Sequence, residues 1–481
     1  MQSYNTHQYY QTDPNVSIRR FGNKGALLFH AGNGAEKIVN STGLFLLQRL
    51  DGSRSVQDLS DKLANNFDGI SRSEVESDIY SFLETLNKEF FIHLIDKQKP
   101  SEATIKTPDI QDAPKSVDIS VTGHCNLHCS YCFYHNEMIS RPDLPLEEWL
   151  TFFQELGRLA VRDVQLSGGE VFVRSDIWQI IDAVVDNRMR YTISTNGTLI
   201  NDTLLSEFEK KNRKERLNSI QVSIDGSCAE VHDRSRGKGT FVKALRGLRL
   251  LKDAGFPVTS RVTVNRHNVE DLENVARLLL EEVGLRSFGT NDAMPMGAGC
   301  DNQASITLTP RQQVQAMKTL SELAQRYNGR ILATAGPLAN VRMYRDMEHA
   351  RATGEKPKQR SMGYLTACGC VFNKLSVHHD GVITPCNMLA KLTLGKMNQD
   401  DLSEIWKHHP ILESLKNRRT IPMNELSGCE DCEWAPYCNG SCPGLAYEMT
   451  GDFNKANPHD CYKKFLASSK EMDLSFLYSS I

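Results

Sequence analysis

The chain has 481 residues, of which 40% are hydrophobic and 24% charged, and its formal net charge is −3. This length exceeds what one hydrophobic core usually organises, so two or three domains are expected, and the small net charge argues against a nucleic-acid or membrane partner. The opening "MQSYNTHQYYQTDPN" lacks the regions of a signal peptide, and no apolar run approaches the roughly 20 residues that span a bilayer. A cytoplasmic protein is predicted.

The first predicted unit covers residues 14–97. "SIRRFGN", "GALLFHA" and "EKIVN" predict three strands, and "FFIHLID" predicts a strand that closes the unit. "STGLFLLQRLDG" predicts a helix, and Ser55 and Ser71 are predicted to be the N-caps of two further helices, because an apolar 3–4 rhythm follows each. This order of elements is typical of a winged-helix arrangement. The polar, Pro-containing residues 98–115 predict a linker.

Residues 116–330 alternate short apolar strands with amphipathic helices. Six such units predict a parallel sheet with helices outside it, either an open barrel or a doubly wound sheet. Residues 331–365 are interpreted as a bridging segment, and residues 366–470 as a cysteine-rich module. The six predicted strands are "VDISVT", "DVQLSG", "YTISTN", "SIQVSID", "VTSRVTV" and "FGTNDA".

Thirteen cysteines are the most informative feature of the composition. Thiols stay reduced in the cytosol, so clustered cysteines there favour metal or redox chemistry over disulfides. Eight lie between Cys368 and Cys461, and three lie in "GHCNLHCSYCFY" at 123–134. The other two, Cys228 and Cys300, are predicted to be buried and to act as small hydrophobic residues.

The cysteine loop follows the first strand of the predicted sheet, at the edge where parallel α/β folds bind ligands. Three thiols without a fourth nearby ligand suit a [4Fe–4S] cluster with one open iron. A structural zinc site normally takes four ligands, and zinc is kept as an alternative. The loop cysteines are Cys125, Cys129 and Cys132.

Polar motifs follow three further strands. In "LSGGEVF", Gly168 and Gly169 allow the backbone to approach a ligand closely, and Glu170 is able to accept hydrogen bonds from an ammonium group. The stretch after the fourth strand runs on to Arg236, whose guanidinium fork would suit a carboxylate. His232, Asp233 and Arg234 are predicted to lie in a solvated loop, and Asp225 to cap the strand turn. The remaining polar candidates are Ser194 and Asn196 in "ISTNG" and Ser223 in "SIDGSCAEVHDRSRG".

With Tyr131 one residue before Cys132, the loop resembles that of the radical S-adenosylmethionine (SAM) superfamily, C-x3-C-x-aromatic-C. The resemblance implies an α/β fold with a partial (β/α)6 barrel and a cluster whose open iron binds the amino and carboxylate groups of SAM. One electron then cleaves SAM to a 5′-deoxyadenosyl radical, which abstracts hydrogen from a substrate. The residues implied to contact SAM are Tyr131, Gly168, Gly169, Glu170, Ser194, Asn196, Ser223 and Arg236.

The cysteines spaced C-x2-C-x5-C-x3-C from Cys429, with a further cysteine separated from the last of them by 18 residues, resemble the SPASM module, which holds two auxiliary iron–sulfur clusters. Two zinc sites remain the alternative. With the loop cluster, the resemblance implies three [4Fe–4S] clusters. The outer auxiliary cluster would use Cys429, Cys432, Cys438 and Cys461, and the inner one Cys368, Cys386 and Cys442, with either Cys370 or an open iron completing it.

The front unit resembles the small winged-helix domains, similar to the pyrroloquinoline-quinone chaperone PqqD, that are fused to such enzymes. These domains bind the leader of a precursor peptide as an extra strand on a sheet edge. A DNA-binding winged helix is the alternative, but it would need a basic face, whereas the helix after Ser71 is rich in acidic residues.

Together the three resemblances imply a maturase of ribosomally made peptides. The expected product is a crosslink, with a thioether favoured over a carbon–carbon bond, and the expected electron donor is a flavodoxin or ferredoxin. Two alternatives stay open: a maturase of a folded protein such as a sulfatase, and a metal-stabilised peptide adaptor without activity. No catalytic acid or base is identified from the sequence.

Overall fold

The computed structural model describes residues 7–65, 71–100, 106–138, 141–355 and 362–478. The predicted linker and bridging segment therefore lie partly outside the described residues, at 101–105 and 356–361. None of the described helices is long and apolar enough to cross a membrane.

The front domain contains two three-stranded sheets, in the orders β5-β1-β6 and β2-β3-β4. Helices α2 and α3 begin where predicted, because Ser55 and Ser71 each form a capping box with the acidic residue three positions later. The elements are β1 (Tyr9–Thr12), β2 (Val16–Arg20), β3 (Gly25–His30), β4 (Glu36–Asn40), α1 (Ser41–Leu47), β5 (Asp51–Ser55), α2 (Val56–Ala64), α3 (Arg72–Lys88) and β6 (Ile92–Ile95).

Two strands of the front domain were not predicted. β1 lies before residue 14, and β5 has the polar sequence "DGSRS", so neither shows an apolar alternation. They form because β1 pairs antiparallel with both β5 and β6. The linker also contacts this domain, since the buried guanidinium of Arg19 donates to the carbonyl groups of Ile110, Ala113 and Pro114.

The central domain is a parallel sheet with helices packed outside it, and all six predicted strands are present. Its strands are β7 (Ser116–Thr122), β8 (Asp163–Gly168), β9 (Arg190–Thr195), β10 (Leu217–Ser223), β11 (Val258–Val264), β12 (Phe288–Asp292) and β13 (Ile331–Ala333). Its helices are α4 (His135–Met138), α5 (Leu146–Arg158), α6 (Ile177–Asp186), α7 (Asp202–Phe208), α8 (Arg213–Arg216), α9 (Ala229–Arg236), α10 (Thr240–Asp253), α11 (Leu272–Arg277), α12 (Ala298–Asp301), α13 (Gln303–Ile306), α14 (Pro310–Arg326) and α15 (Pro337–Thr353).

The C-terminal module continues the same sheet. Its first strand pairs parallel with β7, so one ten-stranded sheet runs in the order β13-β12-β11-β10-β9-β8-β7-β14-β15-β16. The predicted bridging segment is more regular than expected, because it contains β13, which pairs with β12, and α15. The module's elements are α16 (Cys370–Asn373), β14 (Lys374–Val377), β15 (Val382–Thr384), β16 (Gly395–Lys396), α17 (Leu402–His408), α18 (Pro410–Asn417), α19 (Pro443–Thr450) and α20 (Tyr462–Ser468).

Candidate active site

The loop after β7 forms one wall of a cavity of about 320 Å³ at the carboxyl ends of the parallel strands. All three loop cysteines line it. Most of the other residues singled out in the sequence line it as well, although they come from the cysteine loop, from the ends of three strands and from a helix. These are Tyr131, Gly168, Gly169, Ser194, Asn196, Ser223 and Arg236.

The three loop thiols share one electrostatic environment. Burial raises the pKa of Cys125 and of Cys132 to about 11, and it also raises the pKa of Cys129. The charge of Arg236 opposes this rise at each of them. Iron ligands are thiolates, so a cluster bound here would have to displace the thiol protons, and the charge of Arg236 favours their loss.

Gly168 and Gly169 are also needed where β8 packs against the cysteine loop. A Cβ on Gly168, whose φ is +123°, would lie 2.3 Å from the carbonyl oxygen of Thr122, and one on Gly169 would lie 2.1 Å from that of His124. The amide of Gly169 also donates to Thr122. The two glycines therefore let β8 pack against the start of the cysteine loop, in addition to lining the cavity.

Glu170 is buried and connects β8 with the end of β9, and its expected contact with an ammonium group stays a prediction. Its buried carboxylate accepts hydrogen bonds of 2.7 Å from the main-chain amide of Asn196 and from the Thr195 hydroxyl. Burial nevertheless raises its pKa. The carboxylate thus ties the turn after β8 to the end of β9.

Asn196 also holds the cysteine loop in place. Its side-chain Nδ2 donates to Asn126 Oδ1 at 2.8 Å, and Asn126 Nδ2 donates in turn to the Thr198 hydroxyl at 2.9 Å. Because Asn126 lies next to Cys125, these bonds fix the first thiol against β9. Ser194 lines the cavity and accepts from Gln165 at 3.2 Å.

Arg236 is held by Asp225, for which only a role in capping the strand turn was predicted. Asp225 is buried, and its carboxylate accepts from Arg236 Nε at 2.6 Å, from the Thr263 amide at 2.8 Å and from the Tyr131 hydroxyl. The second guanidinium nitrogen lies 4.0 Å from Cys129 Sγ. The ion pair therefore places the cation of Arg236 beside the loop thiols.

His232 is buried in helix α9, so the prediction of a solvated loop was wrong there. Its Nδ1 accepts from the Asp225 amide, while Asp233 caps the next turn by accepting from the amides of Gly239 and Phe241. The prediction of a buried Cys300 was also wrong, since this residue is exposed; Cys228 is half-buried.

The C-terminal cysteines fall into the two predicted groups. Cys370 donates a hydrogen bond to Cys368, which lowers the pKa of Cys368 to about 6 and raises that of Cys370. Burial raises the pKa of Cys386 to about 12, and the charges of Cys442 and Cys368 add to this rise. All four thiols of the expected inner group thus lie close enough to interact.

The outer group surrounds a small cavity of about 40 Å³ that is lined by Cys429, Cys432, Cys438 and Cys461. Burial raises the pKa of Cys438 to about 11, and the charges of the other three thiols contribute. No three cysteine, histidine, aspartate or glutamate side chains in the described ranges are arranged to hold a single metal ion.

One contact across the cavity was not predicted. Asp292, at the end of β12, lines the cavity and lies 2.9 Å from Nε2 of His459, which precedes α20 in the C-terminal module. Burial alone lowers the pKa of His459, but the hydrogen bond and charge of Asp292 raise it to about 9. No sequence signal links these residues, because 166 residues separate them along the chain.

Comparison with known protein families assigns three domains. The chain matches the radical SAM superfamily over residues 119–279, coenzyme PQQ synthesis protein D (PqqD) over residues 26–92, and the SPASM iron–sulfur cluster-binding domain over residues 368–433. These matches confirm the predicted fold class and the three resemblances.

Individual proteins similar to the chain fall into two functional groups. An AdoMet-dependent heme synthase of Methanosarcina barkeri is 28% identical over 73% of this chain and 97% of its own length. The mycofactocin maturase MftC of Mycobacterium ulcerans is 26% identical over 69% of this chain and 83% of its own length. The crystal structure of Streptococcus suis SuiB bound to precursor peptide SuiA covers 94% of this chain and all of SuiB, with a TM-score of 0.62 and 14% identity, and therefore shows the same fold.

Proposed function

We propose that this radical SAM enzyme, in which the radical SAM domain is joined to PqqD and SPASM domains, modifies a ribosomally made precursor peptide in the cytoplasm. The observation that carries the proposal is the convergence of three thiols and the polar strand ends on one cavity, in a chain that also has a PqqD domain. MftC, a maturase, and SuiB, solved with its precursor peptide, support a peptide partner.

Three [4Fe–4S] clusters and SAM are the proposed cofactors, and the cysteine groups described above would hold the clusters. When bound, SAM and the reduced loop cluster supply a 5′-deoxyadenosyl radical that removes a hydrogen atom, and an auxiliary cluster supplies an acceptor for the second electron. We propose a flavodoxin or ferredoxin as the external donor. Gly168, Gly169, Ser194, Ser223 and the cation of Arg236 face the cavity where SAM would lie.

The leader is proposed to add to the edge of β4. In the sheet β2-β3-β4, the other edge is covered by the linker, because the Arg20 amide donates to Pro108 and the Ile110 amide donates to Arg20. β4 is the uncovered edge among the described residues, and its Ile38 side chain is 71% exposed. A peptide strand placed there gains main-chain hydrogen bonds and an apolar contact.

Replacing Ile38 tests this docking site. The Ile38→Asp variant is expected to bind the precursor peptide about tenfold more weakly, as loss of one anchor of roughly 1.4 kcal/mol implies. Its cleavage of SAM without peptide should equal that of wild type. Val242→Asp, which changes a 66% exposed residue of α10, is the matched control. Equal peptide affinity of the Ile38→Asp variant and wild type would contradict the docking site.

The bond formed is proposed to be a thioether, with a carbon–carbon link as the alternative. Co-expression of the enzyme with a precursor peptide, sought among the short reading frames beside its gene, followed by mass spectrometry, measures the product. A crosslink of either kind removes two hydrogens, but only a thioether also consumes a cysteine thiol that iodoacetamide would otherwise alkylate. An unchanged peptide mass with the active enzyme would overturn the proposal.

Haem-precursor chemistry is the second candidate, because the heme synthase of M. barkeri shares 28% identity over 73% of this chain. A sulfatase-type target and a non-enzymatic adaptor also remain as rivals. Removing residues 1–97 discriminates among these enzymes. A peptide maturase that needs the leader loses its activity, whereas an enzyme that acts on a haem precursor or on a folded protein keeps it. An adaptor would contain zinc and no sulfide, and would lack the brown colour of iron–sulfur proteins.

A further inference from the structure

Arg261 is a cation inside the cavity with no acidic partner among the described residues. It lies on β11, beside Ser223 on β10 and Gly289 on β12 in the register of the sheet. The residue lines the cavity, and its Nε donates to Gln221 Oε1 at 3.2 Å, whereas neither terminal nitrogen has a hydrogen-bond partner among the described residues. Burial lowers the pKa of Arg261, and no carboxylate opposes this effect.

Gly289 gives the guanidinium its position. A Cβ at residue 289 would lie 3.4 Å from Arg261 Cζ and Nε, so the planar group lies across β12 at van der Waals distance. Of the described residues lining the cavity, Asp292 is the one carboxylate, and it is paired with His459. A half-buried guanidinium that is flat against a strand and lacks a counter-ion is a site for an anion, preferably a planar carboxylate.

The second cavity arginine differs in both respects. Arg236 is neutralised by Asp225 at 2.6 Å and contacts Cys129, so it lies beside the loop thiols. Arg261 is on the fifth strand of the barrel, four strand spacings of about 4.8 Å from β7 along the curved sheet. Arg236, the arginine beside the loop thiols, is therefore the cation that would serve a cosubstrate carboxylate, which leaves Arg261 for a different anion.

We propose that Arg261 binds a carboxylate of the substrate, an Asp or Glu side chain of the peptide core, and so sets which acidic residue enters the cavity. The choice of a peptide carboxylate rests on the proposed function, whereas the presence of a carboxylate site does not. Charge-assisted hydrogen bonds of this kind change affinity by about tenfold or more.

The test uses the full-length, anaerobically reconstituted enzyme saturated with S-adenosylhomocysteine. Isothermal titration with N-acetylglutamate amide should show binding that is at least tenfold weaker in Arg261→Gln and intermediate in Arg261→Lys. N-acetylglutamine amide should bind weakly to all three proteins. Arg249→Gln, on the outer helix α10, is the control for loss of an exposed arginine and should match wild type.

Three results would overturn the proposal: no glutamate-dependent binding to wild type, equal binding to Arg261→Gln, or weakened binding of S-adenosylhomocysteine alone in that variant. The last result would assign the cation to the cosubstrate. Failure of the peptide-maturase function is seen separately, as an unmodified precursor peptide with a wild-type enzyme that still binds the glutamate probe through Arg261.

Discussion

Nε2 of His459 lies 2.9 Å from the carboxylate of Asp292, and this bond joins the C-terminal module to the end of the sixth barrel strand. The two side chains are 18% and 12% exposed. Asp460, beside His459, is half-buried and accepts from Asn340 and Ser441. Asn387 of the C-terminal module lines the cavity together with Asp292, so the wall of the cavity is built from both domains.

Loss of either partner of this pair should loosen the module. Asp292→Asn or His459→Gln is expected to lower the free energy of unfolding by about 1.5–3 kcal/mol, the range for hydrogen bonds to charged groups. The double variant should cost less than the sum, because each single change leaves one partner unpaired. Urea unfolding of the two singles and the double measures the coupling; strict additivity would mean that the contact contributes nothing.

Cys129→Ala should abolish SAM cleavage. The loop would keep two of its three thiols, which do not hold the proposed cluster, while the C-terminal cysteine groups stay intact. 5′-Deoxyadenosine is measured by chromatography after reduction with dithionite. Cys300→Ala, which changes an exposed cysteine outside the three groups, is the control and should cleave SAM like wild type. Cleavage by Cys129→Ala at the wild-type rate would refute the assigned cluster.

Gly169→Ala should disturb the cysteine loop through sterics alone. The added Cβ would lie 2.1 Å from the His124 carbonyl oxygen and 3.0 Å from the Cys125 amide nitrogen, so the loop must shift. We expect a stability loss of about 1–3 kcal/mol, typical of overpacking, with less iron bound at the loop. Thermal unfolding and iron analysis measure both effects, and a variant with the wild-type melting temperature and iron content would argue against this contact.

Cys370→Ala tests whether Cys370 is the fourth inner ligand. Since it lies within hydrogen-bond distance of Cys368, its loss should lower the iron content by up to about four atoms per chain, the content of one cubane cluster. Sulfide should fall in parallel, whereas SAM cleavage should persist. Full iron and sulfide retention would instead assign Cys370 a role outside the cluster and leave an open iron there.

We predict that the folded protein loses stability in mild acid because His232 is buried in its neutral form. Burial, followed by the charge of Arg236, lowers the pKa of His232 to about 4. The folded pKa lies below the unfolded value of about 6.5, so the unfolded chain takes up a proton first as the pH falls. The contribution of His232 is therefore present above pH 6.5 and is lost towards pH 4, by at most about 1.4 kcal/mol per pH unit.

The His232→Asn variant isolates this effect. Asparagine offers an acceptor oxygen to the Asp225 amide and does not titrate in this range. Melting temperatures measured from pH 7 to pH 4.5 should fall less steeply for the variant than for wild type. Identical slopes would show that His232 is already protonated or accessible in the folded protein.

Much of the fold could be predicted from the sequence because it depends on local patterns. The six barrel strands are short runs with apolar or β-branched residues, and the capping boxes at Ser55 and Ser71 combine a hydroxyl with an acidic residue three positions later. Short polar strands were missed for the opposite reason: β1 and β5 have no alternation of their own and exist through pairing with each other and with β6.

The sequence by itself determined the cysteine groups and the motifs after each strand, because short spacings restrict which thiols and polar groups share a loop. The tertiary structure alone decided what those groups contact. It tied Glu170 to the end of β9, buried Asp225 as the partner of Arg236, left Arg261 without a carboxylate partner among the residues that the structure describes, and brought His459 to Asp292. These relationships join residues far apart in the chain, and their energies depend on burial and distance, which no local pattern encodes.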